Sequence, residues 1–421
     1  MRDVELYQQL LGVVSPWTVG RVELSVKSER VDIWVEHGPE LRWPCPECGT
    51  LLSLYDHAQE RQWRHLDSCQ FKTFLHARPP RIACPTHGTR QVKLPWSEAR
   101  SRFTLLFERL AIDVLKEATV LGATRILRIS WDEAWHLMQR AVTRGLQAKA
   151  RRVPAYLGVD EKAIAKFARY VTLVCDLEAA TVEYVAEDRR LESLDGYFRS
   201  LPPAELEGIR AVAMDMWPPY IYSTLRQVPG ARDKIVFDRY HIMSYMNEAV
   251  DDVRKKEHRA YRATGDQTLA GSRFLWLYAQ ERLPKKHHER FAQLRALNLK
   301  TGRTWAIKES LREFWQQPTR EAALAHWKPW YRWATHSRLP PVIKTAKNIH
   351  RQLHNVLTFF THRITNAVAE GLNSKIQTIK NAACGFRNFD HFKTAIFFHC
   401  GGLQLYPVTH AKPGISIASC T

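Results

Sequence analysis

Two aspartates stand at the ends of short apolar runs, and this pattern is the first sign of chemistry in the chain. Residues 155–159 are an apolar run followed by Asp160, and residues 209–214 are a second, mostly apolar run followed by Asp215. Short apolar runs indicate buried strands, so we expect each carboxylate at the tip of a strand. Because Mg²⁺ prefers carboxylate oxygens, the pair predicts a site that holds divalent cations.

A third carboxylate is marked less clearly. The helix predicted over residues 366–380 buries one apolar stripe and carries Glu370 on another face. Three other acids, Glu248, Asp251 and Asp252, follow the second aspartate more closely along the chain, on a different predicted helix. They are the alternatives for the same role.

A further aspartate ends the short run at residues 234–237. This residue, Asp238, is either the N-cap of the helix that follows or one more metal contact. His241 lies one helical turn later. Its imidazole is a candidate for ordering a phosphate or a water molecule.

Two cysteine-containing knuckles in the first hundred residues predict a second kind of metal site. They read Cys45-Pro-Glu-Cys48-Gly and Cys84-Pro-Thr-His87-Gly, each expected at the end of a β-hairpin. Three thiolates and one imidazole complete a tetrahedral zinc site with no open position, so its role is stability and not catalysis. The alternative is a set of reduced thiols with a histidine nearby by coincidence.

The charge of the chain points to its partner. Its 421 residues contain 62 Lys and Arg against 43 Asp and Glu, a formal net charge of +19. This excess favours a polyanion, most simply nucleic acid, over its alternative, an anionic membrane surface. We find no apolar run of membrane-spanning length and no signal peptide. We therefore expect a cytoplasmic, nucleoid-associated protein.

Three helices predicted over residues 103–118, 119–129 and 130–146 separate the knuckles from the first aspartate. The third begins at Ser130-Trp-Asp-Glu133, which has the form of a capping box. This arrangement is typical of a helix-turn-helix module; the alternative is an ordinary helical bundle with solvated charges. The arginines on the later two helices are the candidates for DNA contact: Arg125, Arg128, Arg140 and Arg144.

The order of elements around the two aspartates predicts how they meet. Strands are expected at 155–159, 171–175, 181–186, 209–214 and 234–237, with helices at 191–200 and 220–226 between the later ones. Three consecutive strands followed by alternating helices and strands are typical of a ribonuclease-H-like sheet. That sheet places residues of its first and fourth strands side by side. A helical stretch then runs to about residue 362, and we expect its six tryptophans mainly in the core.

Together these motifs resemble the ISL-three (ISL3) family of bacterial insertion-sequence transposases. The similarity runs from about residue 42 to 403. Besides the knuckles and the three helices, it rests on these segments: Gly158-Val-Asp160-Glu-Lys, Met214-Asp215-Met-Trp217, Phe237-Asp-Arg-Tyr-His241, Ala369-Glu370-Gly-Leu-Asn373 and Cys384-Gly-Phe-Arg-Asn388. One departure is His87, because relatives often present four cysteines at the zinc site. The change alters ligand softness but not zinc competence.

The resemblance implies a DDE catalytic domain of ribonuclease-H-like fold, interrupted by a helical insertion. The multidomain α+β chain would divide into a β and zinc-binding domain (1–100), a helix-turn-helix module (101–150), the catalytic domain (151–239 and 362–403), the insertion (240–361) and a tail (404–421). By motif position the catalytic triad would be Asp160, Asp215 and Glu370. Glu370 is preferred to the alternative acids for this reason.

The expected chemistry is cleavage of DNA and strand transfer assisted by two Mg²⁺ or Mn²⁺ ions about 3.5–4 Å apart. Asp160 would bridge both ions, while Asp215 and Glu370 each hold one. Water would free a 3′-hydroxyl at a terminal inverted repeat, and that hydroxyl would attack target DNA. Lys375 and Lys380 would contact the DNA backbone, and handling two ends implies a homodimer or larger assembly. The alternatives are a non-catalytic, domesticated DNA-binding protein and a ribonuclease-H-like nuclease without strand transfer.

Overall fold

The computed structural model describes residues 2–150, 152–165 and 169–408. Within this range the chain forms two compact units, which are described separately. The first contains residues up to 149 together with 403–408, and the second contains the described residues from 150 to 402. None of the helices in the described ranges combines the length and apolarity that crossing a bilayer requires.

Two four-stranded sheets form most of the first unit. Its first elements are α1 (Asp3–Leu10), β1 (Trp17–Ser25), β2 (Arg30–His37), β3 (Arg42–Pro44), β4 (Leu51–His57), β5 (Arg61–Arg64), β6 (Lys72–Ala77), β7 (Pro80–Cys84) and β8 (Gly88–Gln91). The sheets have the orders β1-β2-β6-β5 and β3-β4-β7-β8. In the second sheet, β3 and β4 form one antiparallel hairpin and β7 and β8 another. These are the hairpins that the two knuckles predict.

Three helices complete the first unit: α2 (Leu105–Glu117), α3 (Val120–Leu127) and α4 (Trp131–Ala148). The predicted capping box is confirmed, since the Ser130 hydroxyl accepts from the Glu133 backbone amide and the Glu133 carboxylate accepts from the Ser130 amide. Arg128 has φ 55°, a left-handed conformation that turns the chain between α3 and α4. Residue 403, predicted as the end of the catalytic domain, and residues 404–408 of the predicted tail belong to this unit, and those from 409 lie outside the described residues.

A five-stranded mixed sheet is the centre of the second unit. Its strands are β9 (Tyr156–Ala165), β10 (Arg169–Asp176), β11 (Thr181–Glu187), β12 (Ala211–Met214) and β13 (Ile235–Phe237). Their order is β11-β10-β9-β12-β13. Strands β9, β10 and β11 pair antiparallel, whereas β12 runs parallel to both β9 and β13. The first and fourth strands, β9 and β12, are therefore neighbours, as predicted.

The end of β9 differs from its prediction. Asp160 is not at the tip of this strand, because β9 continues to Ala165 and Asp160 pairs with Leu173 of β10. The short apolar run ends where β12 stops pairing with β9, after Gly158 and Ala213. Continued pairing with β10 alone keeps residues 160–165 extended. Asp160 can therefore lie inside a strand, because in this part of β9 only the edge that faces β10 is paired.

Helices surround this sheet. They are α5 (Leu191–Arg199), α6 (Pro203–Leu206), α7 (Pro218–Gln227), α8 (Ala231–Lys234), α9 (Arg239–Ala263), α10 (Arg273–Leu277), α11 (His288–Ala296), α12 (Lys300–Phe314), α13 (Arg320–Thr335), α14 (Pro340–Arg351), α15 (Leu353–Leu357), α16 (Phe359–His362), α17 (Ala367–Ala382) and α18 (Phe389–Cys400). Two short 3₁₀ turns, Gln280–Arg282 and Lys285–His287, precede α11. Apolar residues of α9 and of α12–α14 join the same core as the sheet. Five of the six predicted core tryptophans are buried, and Trp333 is exposed.

Candidate functional site

Three aspartates stand in adjacent register positions at the end of the parallel part of the sheet. Ala213 of β12 is opposite Gly158 of β9, and Met214 is opposite Phe237 of β13. Extending these registers places Asp215 beside Asp160 on one side and beside Asp238 on the other. This row of aspartates forms where β12 and β13 end and where β12 stops pairing with β9.

The N-terminal part of α17 packs directly on β9, and Gly158 makes this possible. A Cβ atom on Gly158 would lie 2.7 Å from the Asn366 side-chain oxygen and 3.1 Å from the Ala369 Cβ. With no side chain there, α17 approaches the strand closely enough for the Asn366 amide to lie 3.4 Å from the Val159 carbonyl oxygen. This contact carries Glu370, in the first turn of α17, to the row of aspartates.

The acids at this end of the sheet influence one another. Burial raises the pKa of Glu370, and the neighbouring Asp238 carboxyl, within hydrogen-bonding range, and the Asp160 charge raise it further. Burial raises the pKa of Asp160 to about 6, although hydrogen bonds from the Glu161 amide and the Asn373 side chain and the nearby His241 oppose this shift. Partly desolvated carboxylates that repel one another are the setting in which a divalent cation binds with most benefit.

Asp215 is held by polar groups from α9. The Tyr245 hydroxyl lies 3.3 Å and 3.4 Å from its two carboxylate oxygens, and His241 Nδ1 lies 3.6 Å from Oδ2. Burial, together with the Asp215 charge, raises the pKa of Tyr245 to about 12, so the phenol stays a hydrogen-bond donor. His241 also contributes electrostatically at Asp160 and Glu370 and thus stands among all of these acids.

Several buried oxygens here have no hydrogen-bond partner among the described residues. They are Oδ2 of Asp238 and the side-chain carbonyl oxygens of Asn366 and Asn373. The Asn373 amide instead donates to Asp160 Oδ2 at 2.6 Å. Buried polar atoms are normally satisfied by protein, water or an ion. A set of carboxylate and amide oxygens without donors fits hard cations such as Mg²⁺ or Mn²⁺.

The alternative acids on α9 are placed differently. Asp251 is buried and ion-paired to Arg254, Lys255 and Arg273, so its charge is already balanced. Glu248 and Asp252 are both exposed. Glu248 adds to the electrostatic field at Tyr245, whereas the acids that act on Glu370 are Asp238 and Asp160.

The four predicted zinc ligands converge. The ligand atoms of Cys45, Cys48, Cys84 and His87 all lie within 4.8 Å of one another. Sγ of Cys48 lies 3.8 Å from Sγ of Cys84, which lies 3.5 Å from Nδ1 of His87. Zinc–sulfur bonds of about 2.3 Å in a tetrahedron separate two sulfurs by roughly 3.8 Å. The geometry therefore fits zinc, and within the described ranges this is the one group of three or more such ligands that is so tight.

The predicted DNA-contacting side chains differ in availability. Arg125 is exposed, whereas Arg128 is bonded to Asp67. Arg140 and Arg144 join a network with Glu98 and the buried Glu108, at distances of 2.7–3.3 Å. In the second unit, Lys375 donates to the His399 carbonyl oxygen and Lys380 to that of Ala163. DNA contact by these six residues stays a prediction, and for Arg144 the network supplies a structural role.

Two residues outside the predicted triad also contribute to the site. Asn373, on the same face of α17 as Glu370 and three residues later, holds Asp160. Asp238 occupies the N-cap position of α9 but makes no side-chain capping bond and faces Glu370 instead. The spacing of Glu370 and Asn373 was a usable signal for the first. For Asp238 the sequence left two roles open, an N-cap or a metal contact, and the parallel register of β12 and β13 is needed to place it beside Asp215.

Comparison with known protein families gives three separate matches along the chain. A family model described as a transposase, of the ISL3 DDE type, matches residues 157–396. A zinc-finger model of the transposases of IS204, IS1001, IS1096 and IS1165 matches 41–87, and a helix-turn-helix model of transposase family ISL3 matches 92–142.

Two curated relatives cover most of the chain. The transposase for insertion sequence element IS1001 of Bordetella parapertussis is 26% identical over 356 residues, covering 83% of this chain and 86% of the relative. The transposase for IS1557 of Mycobacterium tuberculosis is 24% identical over 450 residues, covering 99% and 100%. The region 157–396 contains the carboxylate row, by which we mean Asp160, Asp215, Asp238 and Glu370. The region 41–87 contains the Cys and His cluster, which consists of Cys45, Cys48, Cys84 and His87.

Proposed function

Since this chain belongs to the ISL3 family of transposases, we propose that it cuts DNA at the terminal inverted repeats of an insertion sequence and joins the freed ends to target DNA. The catalytic domain would be ribonuclease-H-like, with Asp160, Asp215 and Glu370 as the metal-holding carboxylates. The observation that carries the proposal is the meeting of these acids at one end of the sheet. The strand order and the parallel register of β12 support the fold.

The residues of the site have distinct roles in this proposal. Asp160 and Asp215 stand in adjacent register positions and would share the cations, while Glu370 would close the site from α17. Two divalent cations held there would neutralise the phosphate and activate the attacking oxygen. Asn373 fixes Asp160 through its amide, and Tyr245 and His241 orient Asp215. Asp238 lies close enough to Glu370 to act as a fourth carboxylate.

The first unit would recognise the DNA ends. A structural zinc ion held by the four knuckle ligands would fix the ends of the two hairpins relative to each other. Helices α2–α4 would place the module on the duplex, and Arg125 is the one of the four predicted arginines without an ion pair among the described residues. Because two element ends must be handled together, the active form would be at least a dimer.

The proposal is tested by cleavage of DNA that carries the ends of the element. We expect the full-length protein to nick this DNA only with Mg²⁺ or Mn²⁺, and Glu370→Gln to lower the rate roughly 10³-fold. Glu248→Gln is the matched control, because it neutralises the rival acid on α9, keeps a hydrogen-bond acceptor at that position and should therefore keep most of the rate. If Glu370→Gln kept cleaving and Glu248→Gln did not, Glu248 and not Glu370 would be the third catalytic carboxylate. A wild-type protein that binds the ends and never cuts would leave only a DNA-binding function.

Joining is separated from cutting by a second substrate. Pre-cleaved ends with a 3′-hydroxyl supply the product of the first step, so transfer to a plasmid target then depends on the second step alone. We expect transfer by the wild type and none by Glu370→Gln, because both steps use the same carboxylates. Cutting without any transfer would identify a nuclease of the same fold.

A further inference from the structure

A groove beside the carboxylate row has no role in the proposed function. It lies between α9 and α14 and encloses about 540 Å³. Met216 and Trp217, which directly follow Asp215, line it together with Tyr245, whose hydroxyl contacts the Asp215 carboxylate. The groove therefore opens next to the place where a scissile phosphate would sit.

The two helical walls of the groove carry opposite charges. From α9 come the exposed carboxylates Glu248 and Asp252, and from α14 come the exposed cations Lys344 and Arg351. No ion pair crosses the groove among the described residues. Within the part of the chain that the structure describes, the polar contact of Asp252 is with Lys255 of its own helix, at 3.6 Å, and that of the Arg351 guanidinium is with Asn348, at 3.4 Å. Groups of both signs thus face the same space without neutralising one another.

This arrangement discriminates between two ways in which DNA could use the groove. A track for a duplex backbone presents cations and excludes carboxylates, because phosphates repel them. A single nucleotide has an anionic phosphate at one end and a base with N–H donors and carbonyl acceptors at the other. Lys344 and Arg351 suit the phosphate, and Glu248 and Asp252 suit base N–H groups. The side-chain amides of Asn348 and Gln352 can bond to either kind of base atom.

Among the residues that line the groove, Trp217 supplies an aromatic ring that is already held in place. The Trp217 indole N–H donates to the Arg189 carbonyl oxygen at 2.9 Å. The Arg189 guanidinium lies 4.6 Å from the centre of the Trp217 ring and 4.1 Å from that of Tyr170. A ring held in this way loses little conformational entropy when a base packs against it.

We propose that this groove binds one nucleotide of the element end, unpaired from its partner and adjacent to the phosphate that is cut. The inference rests on the proposed function for the identity of the DNA. Withdrawing a base from the stack costs a few kcal/mol, and the groove offsets this cost with contacts that a paired base cannot make. The unpaired nucleotide fixes the position of the backbone relative to Asp215.

A mismatch scan tests the proposal with the full-length protein. Single mismatches are placed at each base pair on both sides of the cleavage position, and affinity is measured with Ca²⁺ in place of Mg²⁺ to hold the DNA uncut. A mismatch removes the cost of unpairing, so we expect roughly 10-fold tighter binding at one position and no gain at distant ones. No gain at any position, or no binding of the end DNA, would overturn the proposal.

Two double variants test whether the tighter binding of mismatched DNA depends on the groove. Asn348→Ala with Arg351→Ala removes two exposed groove side chains, so folding should be unaffected, and we expect the mismatch gain to disappear. Lys285→Ala with Lys286→Ala removes two exposed cations elsewhere in the insertion and should keep the gain. A gain that survives the groove variant would refute the assignment. Because binding is measured without cleavage, absence of Mg²⁺-dependent cutting would refute the proposed function and leave this result standing.

Discussion

The Cys and His cluster and the carboxylate row are two candidate metal sites built on opposite principles. The cluster takes four ligands from two hairpins of one sheet, and their ligand atoms lie within 4.8 Å of one another. The row takes acids from β9, from the ends of β12 and β13 and from α17, and no three of its described acids come so close. The cluster would close around a single ion, whereas the row spreads over four elements of the second unit.

This difference separates stability from function. A closed cluster gains folding free energy from its ion. The row instead keeps partly buried, mutually repelling acids and, among the described residues, oxygens without hydrogen-bond partners, and both features cost stability in the absence of ligands. We therefore expect damage to the cluster to unfold the first unit, and damage to the row to stop the chemistry while leaving the second unit folded.

The largest effect is expected at the cluster. Cys84→Ser removes a ligand from a site whose apparent binding free energy is on the order of 10 kcal/mol. We expect loss of bound zinc, protease sensitivity in residues 1–149 and loss of end binding, measured by metal analysis, limited proteolysis and gel shift. Cys69→Ser changes an exposed cysteine of the same unit and should alter none of these. Full zinc content in Cys84→Ser would exclude the quartet as the site.

The next effect separates activity from stability in the row. Asp160→Asn keeps the size of the side chain and removes its charge. Burial raises the pKa of the Asp160 carboxyl to about 6. Cleavage should fall roughly 10³-fold, while the thermal midpoint at neutral pH without Mg²⁺ should stay equal or rise. Asp188→Asn changes a half-exposed aspartate that directly follows β11 of the same sheet; it is the control and should leave both unchanged. A strongly destabilised Asp160→Asn protein would mean that the carboxylate is structural.

The packing of α17 on β9 predicts a smaller effect. Gly158→Ala places a methyl group 2.7 Å from Asn366 and from Leu177, so the helix must move outwards with Glu370. We expect a loss of about 1–3 kcal/mol in unfolding free energy and reduced cleavage. Gly371→Ala, on the same helix with no atom within 4 Å of the added Cβ, should gain about 1 kcal/mol. Equal behaviour of the two variants would contradict the close approach.

The same contrast explains how much the sequence could reveal. The cluster was predictable residue by residue, because its ligands come in two local motifs that hairpins bring together. That the first and fourth strands are neighbours was predictable from the alternation of elements. The position of Asp160 within β9 was not, because the end of the apolar run marks where β12 stops pairing and not where β9 ends. The contact of Glu370 with Asp238 joins residues far apart in the chain, and neither local pattern encodes it.

The smallest predicted effect is a pH dependence that Mg²⁺ should reverse. The folded-state pKa of Asp160 is about 6, above its ordinary value of 3.8, and that of Glu370 is also raised. The folded protein therefore holds these protons more tightly than the unfolded chain. This contribution to stability is complete below about pH 4 and is lost as pH rises through about 6. Cations bound to the ionised row oppose the loss, so Mg²⁺ should raise the thermal midpoint more at pH 7 than at pH 5. In Asp160→Asn the dependence should shrink, because only Glu370 and its neighbours remain to titrate. A Mg²⁺ effect that is equal at both pH values, or unchanged in this variant, would show that the ion binds elsewhere.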